Sequence, residues 1–319
     1  MGELLSPERA AARGVPVVHL PDYLHGDPET RVAFIETLGG GLEALGFVAV
    51  TGHGIDEALL ARAYAVTRQL FALPLGVKAL HETPEDGRQR GYTSFGVEHA
   101  KDQHMPDLKE FWHVGRELPP EHRLTRSGAI PRNHFPEELP AFREVALQLF
   151  DAMERFAMAL LDAVGEYLGL RDGFFRNLTR DGNSVLRLIH YPDMGEGSLQ
   201  GAVRAAAHED INLLTVLPAS TRPGLELLTR DGSWMPVQTP PNVMVCDTGD
   251  MMALLTGGQL PATTHRVVNP DDSDGGRYSM PFFLHPHPNR PLAPFTGEDQ
   301  KPVLARDFLR RRLQEIGVA

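Results

Sequence analysis

The chain has 319 residues, enough for one large domain or two small ones, with 42% hydrophobic residues, a formal net charge of −11 and a single cysteine. The acidic balance excludes bulk-electrostatic binding of DNA or RNA, which needs a basic face, and no apolar run is long enough to span a bilayer. Cys246, in the apolar run Val243-Met244-Val245-Cys246, reads as a buried thiol and has no disulfide partner, which fits a reducing, cytoplasmic setting.

The amino-terminal stretch is charged and mixed and has no signal-peptide core. Met1-Gly2-Glu3-Leu4-Leu5-Ser6 matches the bare myristoylation pattern, but nothing polybasic follows to supply a second anchor. Val15 to Leu20 reads as an opening strand. Pro28 to Leu45 reads as a helix, with Val32, Ile35, Leu38, Leu42 and Leu45 near helical spacing. Gly39-Gly40-Gly41 weakens it, and no Gly-Lys-Ser/Thr follows to make a phosphate loop. Gly46 to Val50 is a strand turned by Gly52-His53-Gly54, where His53 reads as structural. Asp56 to Leu73 is a second helix, stopped by Pro74.

Glu82 to Phe135 reads as irregular and rich in His, Pro and charge. Long irregular segments in compact domains are often functional, so part of this one is expected to cover a site, with Tyr92 in the pocket. His99, His104 and His113 are either substrate contacts or solvated loop residues. Phe142 to Leu168 is the strongest helix, its stripe running Val145, Leu149, Met153, Phe156, Leu160, Val164 and Tyr167.

From Ser184 the texture changes to short strands between turn signals, as in a sandwich or barrel. Val185 to Pro192, Val203 to Ala207, Leu213 to Leu217, Val243 to Cys246, Thr263 to Val268 and Arg277 to Leu284 are strands, and Leu225 to Val237 is a hairpin. Val303 to Ile316 closes the chain as a helix, with Arg310-Arg311-Arg312 read as its solvated end.

Candidate chemistry concentrates in these strands. Residues i and i+2 of a strand share a face, so His208 and Asp210 can chelate one ion while Glu209 points away. With His265 they make two imidazoles and a carboxylate, the facial triad of non-haem Fe(II) oxygenases. The same rule puts Arg277 and Ser279 together, a fork and a hydroxyl suited to a carboxylate. An isolated H-x-D arises by chance; the ordered set H-x-D, H-R-V and R-x-S is far more specific. His285-Pro286-His287 reads as a loop with two solvated rings.

His208-Glu209-Asp210, Thr264-His265-Arg266-Val267 and Arg277-Tyr278-Ser279-Met280-Pro281-Phe282-Phe283 resemble the isopenicillin N synthase-like branch of the Fe(II)/2-oxoglutarate-dependent dioxygenases. The resemblance covers nearly the whole chain. It implies an α+β fold with a mainly β core: a double-stranded β-helix, or jelly roll, with an amino-terminal helical region, a long packing helix and a carboxy-terminal helix. Residues 1–135 would form the amino-terminal region and 136–319 the long helix and catalytic β-helix, in one compact unit. By the same resemblance His208, Asp210 and His265 bind Fe(II), and Arg277 and Ser279 hold the distal carboxylate of 2-oxoglutarate. Tyr191 is the third cosubstrate contact or a half-buried core tyrosine, and Phe283 is pocket wall or core. With O₂, the enzyme would oxidise, most simply hydroxylate, a small molecule and release succinate and CO₂.

This chain departs from the family at Ile189, Asp247 and Gly257, where asparagine is frequent. Three other readings stay open: an iron oxidase that uses no 2-oxoglutarate, a non-catalytic binding protein on the same scaffold, and a Zn²⁺ hydrolase.

Overall fold

Alternation along its strands gives the large sheet one face for the helices and one for the site. The computed structural model describes residues 14–98, 107–193, 204–238, 240–268, 276–295 and 301–316. Among these, a nine-stranded sheet runs β1 (Val17–His19), β2 (Phe47–Thr51), β10 (Met244–Thr248), β7 (Leu214–Pro218), β13 (Phe282–Leu284), β5 (Val185–Tyr191), β4 (Glu110–Gly115), β3 (Gly91–Thr93), with β12 (Arg277–Ser279) also on β5. A four-stranded sheet, β6 (Ala205–His208), β11 (His265–Val267), β8 (Leu225–Leu228) and β9 (Trp234–Pro236), faces it. Within these two sheets the pairs are antiparallel, apart from β1 with β2. This is the jelly roll, two sheets closed around a shared interior.

On one face of the large sheet Val48, Val50, Trp112, Val114, Leu186, Leu188, Val216, Met244, Cys246 and Phe282 join the main apolar core. Helices Pro28–Leu45, Glu57–Ala72 and Pro140–Tyr167 complete that core. The intervening residues Phe47, Ile189, Tyr191 and Asp247 face the space between the sheets, where they line a cavity. The long helix buries a broad face rather than one stripe: Phe142, Phe150 and Leu161 are buried beside Leu149, Met153, Phe156, Leu160 and Val164. Each such side chain contributes roughly 1.5–3 kcal/mol.

The helix Pro28–Leu45 forms over the expected residues, but Val32 is 56% exposed and off its buried face. The glycines that weaken it have a packing reason. A Cβ on Gly39 would stand 2.1 Å from the Tyr167 ring, and one on Gly41 2.7 Å from Val48. Small residues therefore let this helix approach both the long helix and the sheet.

Two expectations change. The stretch read as irregular contains β4, whose six residues are all buried. Its charges hid it, because Glu110 is not solvated: it accepts from Lys78 Nζ (2.7 Å) and Tyr92 Oη (2.6 Å) and pairs with His190 Nδ1 (2.8 Å). Tyr92, expected in the pocket, is 0% exposed within the helix-side core, where its hydroxyl serves Glu110. Second, the expected strand Arg277 to Leu284 breaks at Met280-Pro281, so that β12 and β13 pair with different halves of β5. No described helix is long and apolar enough to cross a membrane.

Candidate active site

β6 and β11 are neighbours, and their register sets His208 opposite His265. The register shifts along the pair, with Val267 opposite Ala205. This irregularity lets both Ala205 and His208, three residues apart, reach the interior cavity. Asp210 lies just past the strand end, where the Asp250 N–H donates to its carbonyl (2.8 Å). One ligand atom from each of His208, Asp210 and His265 lies within 4.8 Å of the others. The Nε2 atoms of His208 and His265 are 4.0 and 3.8 Å from Asp210 Oδ1.

The proton positions follow from the neighbours. His208 Nδ1 donates to Ala206 O (2.7 Å) and His265 Nδ1 to Thr263 O (3.1 Å). A carbonyl only accepts, so Nδ1 is the donor in each ring and Nε2 is the nitrogen left for a metal. Burial, then the neighbouring His265 ring, lowers the His208 pKa to about 4, which keeps it neutral as a metal ligand must be. Asp210 Oδ2 accepts from the Thr215 hydroxyl, which itself accepts from Asn212 Nδ2 (2.9 Å). Burial first, and Asp210 second, push the Asp247 carboxyl well above the usual range. A neutral Asp247 can stand there as an asparagine would.

Arg277 is 1% exposed and lies opposite Tyr191. Its Nε donates to Arg222 O (3.0 Å) and Nη2 to Ser220 Oγ (2.9 Å), while Nη1 is buried without a partner among the described residues. The guanidinium stands 5.0 Å over the Tyr191 ring. A buried cation with an orphan donor is costly unless an anion meets it. Ser279, two residues on, is buried on the same wall.

These groups share a cavity of ≈ 310 Å³, lined among others by His208, Asp210, His265, Tyr191, Arg277, Ser279 and Phe283. Tyr92 does not line it. His113 does, as a buried strand residue rather than a loop histidine, and so does His285, buried where a solvated ring was expected. His99, His104 and Met1 to Ser6 lie outside the described residues. His53 is structural, its Nδ1 accepting from the Ile55 N–H (3.1 Å).

Sequence reasoning missed two contributions. The closing helix, Ala305–Glu315, is a wall: Leu309, Arg312 and Leu313 line the cavity. Arg312, read as solvated, donates to Asp250 Oδ2 (2.5 Å) and Glu315 Oε2 (2.8 Å). Its apolar spacing was visible; what it covers was not. The other omission is a group of cavity charges, Glu98, Asp107, Lys109 and Arg187.

Known proteins share this architecture. The family model for the amino-terminal region of the non-haem dioxygenase in morphine synthesis matches residues 15–138, and that of the 2OG-Fe(II) oxygenase superfamily matches residues 182–286. The crystal structure of a 2OG-Fe(II) oxygenase family protein from Caulobacter crescentus is similar, with a TM-score of 0.85, 37% identity and coverage of 95% of this chain and 100% of that one. Proline hydroxylase buaE of Petromyces alliaceus is 30% identical over 282 residues, 83% of this chain and 85% of its own. The 2-oxoglutarate-Fe(II) type oxidoreductase hxnY of Emericella nidulans is 27% identical over 311 residues, 92% of this chain and 88% of its own.

Proposed function

The chain belongs to the 2OG-Fe(II) oxygenase superfamily, and from that premise we propose that His208, Asp210 and His265 hold the iron while Arg277 and Ser279 hold 2-oxoglutarate. The family's cofactors are Fe(II), 2-oxoglutarate and O₂, and the protein is a 2-oxoglutarate-dependent oxygenase. Bound together, they supply oxidative decarboxylation to succinate and CO₂ and the oxidation of a substrate C–H. The proposed outcome is hydroxylation of a small molecule. The cavity supports this, being near the lower end of ligand-pocket sizes, and so does the relative named a proline hydroxylase.

The chain's own residues have definite tasks in this reading. His208 and His265 each commit Nδ1 to a backbone carbonyl, which leaves Nε2 as the atom offered to the iron. Thr215 turns Asp210 so that Oδ1 faces the two rings. The observation that carries the cosubstrate assignment is the buried, partnerless Nη1 of Arg277. A distal carboxylate would satisfy it, with the Ser279 hydroxyl beside it and the Tyr191 ring supporting the guanidinium. Phe283 and the closing helix exclude water from the same space.

The test is anaerobic addition of Fe(II), then 2-oxoglutarate, to the purified protein, with a visible charge-transfer band expected. Iron binding without a band would favour an oxidase whose substrate carboxylate occupies Arg277. Thr215→Val, nearly isosteric, removes the hydroxyl from Asp210. Iron affinity is expected to fall about 10–100-fold, as for lost outer-shell partners, with circular dichroism unchanged. An unchanged iron titration would make Thr215 a packing residue only.

A further inference from the structure

The iron and cosubstrate roles leave a second polar wall of the cavity unused: Gln89, Glu98, Asp107, Lys109, Arg187 and His285. It adjoins the triad, since Glu98 and Lys109 lie within electrostatic reach of His208, and His285 within reach of Asp210.

Arg187 is its most firmly held member. Nε donates to His113 Nε2 (2.7 Å) and Nη1 to Glu98 Oε1 (3.2 Å). The guanidinium carbon stands 4.2 Å from the Phe111 ring centroid and 5.3 Å from that of Phe283. His113 donates through Nδ1 to Arg88 O (2.9 Å), so its Nε2 is an acceptor and the ring takes no charge from Arg187. Among the described residues, Nη2 of Arg187 has no partner.

The charges of this wall cancel within it. Glu98 Oε1 also accepts from Lys109 Nζ (3.3 Å), while Oε2 is buried without a partner. Lys109 donates as well to Asp107 Oδ2 (2.8 Å). Two carboxylates, Glu98 and Asp107, thus face two cations, Lys109 and Arg187. His285 adds no charge: Nδ1 donates to Phe283 O (3.1 Å), and burial lowers its pKa to about 4, leaving Nε2 as an acceptor.

We propose that this wall is the primary-substrate subsite, with Arg187 as its anchor, and that it selects a neutral small molecule carrying a carbonyl-type acceptor beside an N–H or O–H donor. Lactams, cyclic ureas and amides have that edge. The acceptor meets Arg187, and the donor meets His285 or Glu98. A free carboxylate would gain Arg187 but also face Glu98 and Asp107, whose charges already engage both cations; an ammonium would face Lys109 and Arg187. Either leaves an unbalanced charge in a buried site. This inference rests on the iron and 2-oxoglutarate assignment above.

The experiment is ligand-observed NMR on anaerobic protein loaded with Fe(II) and 2-oxoglutarate, reading paramagnetic broadening of four probes: 2-pyrrolidinone, hydantoin, cyclopentanecarboxylate and cyclopentylamine. The visible band is recorded first; its absence would defeat the iron and cosubstrate reading rather than this one. With the band present, the two neutral probes are expected to broaden and the two charged ones not. Arg187→Met is expected to weaken the neutral probes about tenfold, the worth of one good hydrogen bond. Glu98→Gln, which leaves a cation uncompensated, is expected to admit cyclopentanecarboxylate. Broadening by the carboxylate in the native protein, undiminished lactam broadening in Arg187→Met, or broadening by neither neutral probe overturns the proposal.

Discussion

Asp210→Ala is expected to abolish succinate release and to leave the purified protein without tightly held iron. Asp210 supplies the charged member of the proposed triad, and its Oδ1 lies within 4.0 Å of both imidazole Nε2 atoms. Two neutral rings alone offer a divalent ion no compensating charge. The loss should therefore exceed the roughly 10–100-fold that removal of an outer-shell partner costs. The fold is expected to survive, because the Asp210 side chain meets the Thr215 hydroxyl and the Asp247 carboxyl, and removing it relieves Asp247 of a buried neighbouring charge. His208→Ala should behave alike. Iron content after dialysis, succinate release and far-ultraviolet circular dichroism check this together. A folded Asp210→Ala protein that keeps its iron and full turnover would sink the triad.

Arg277→Ala should act on the cosubstrate alone. Truncating one partner of a buried, hydrogen-bonded charge pair costs about 2–5 kcal/mol, so the apparent KM for 2-oxoglutarate is expected to rise on the order of 30-fold or more. Arg277→Lys keeps the charge but loses the fork, and should fall between the two. The measurement is succinate release against 2-oxoglutarate concentration. An unchanged KM would reassign Arg277 to holding Ser220 and Arg222, which it already contacts. Iron retention by both variants separates this effect from that of Asp210→Ala.

The two expectations differ in how they could be read from residues. His208 with Asp210, and Arg277 with Ser279, are pairs at a separation of two, and the period of a strand is two. For Arg277 and Ser279, both in β12, local sequence carried the geometry; Asp210 lies past the end of β6, where the Asp250 N–H meets its carbonyl, so its approach to His208 was decided by the fold. The three main helices were equally legible, because an apolar face repeating at helical spacing has few other uses. Their boundaries moved by at most two residues, as at Pro140–Tyr167.

What local sequence misread was charge. Lys109, Glu110, His113, Arg187, His285 and Arg312 read as solvated or were given no firm interior role, yet they are buried or engaged in the interior. A charged side chain can be buried only when a partner satisfies it, and here most of those partners are distant in sequence. Lys78 meets Glu110 across 32 positions, Arg187 meets Glu98 across 89, and Arg312 meets Asp250 across 62. Tyr92 was misplaced for the same reason, because its destination depends on Glu110. Periodicity thus determined the main helices, and the ordered motifs, through their resemblance to a known family, pointed to the jelly-roll class and the candidate ligands. Only the packing of the two sheets decided which charges pair, which wall of the cavity is neutral and which guanidinium nitrogens are left for a ligand.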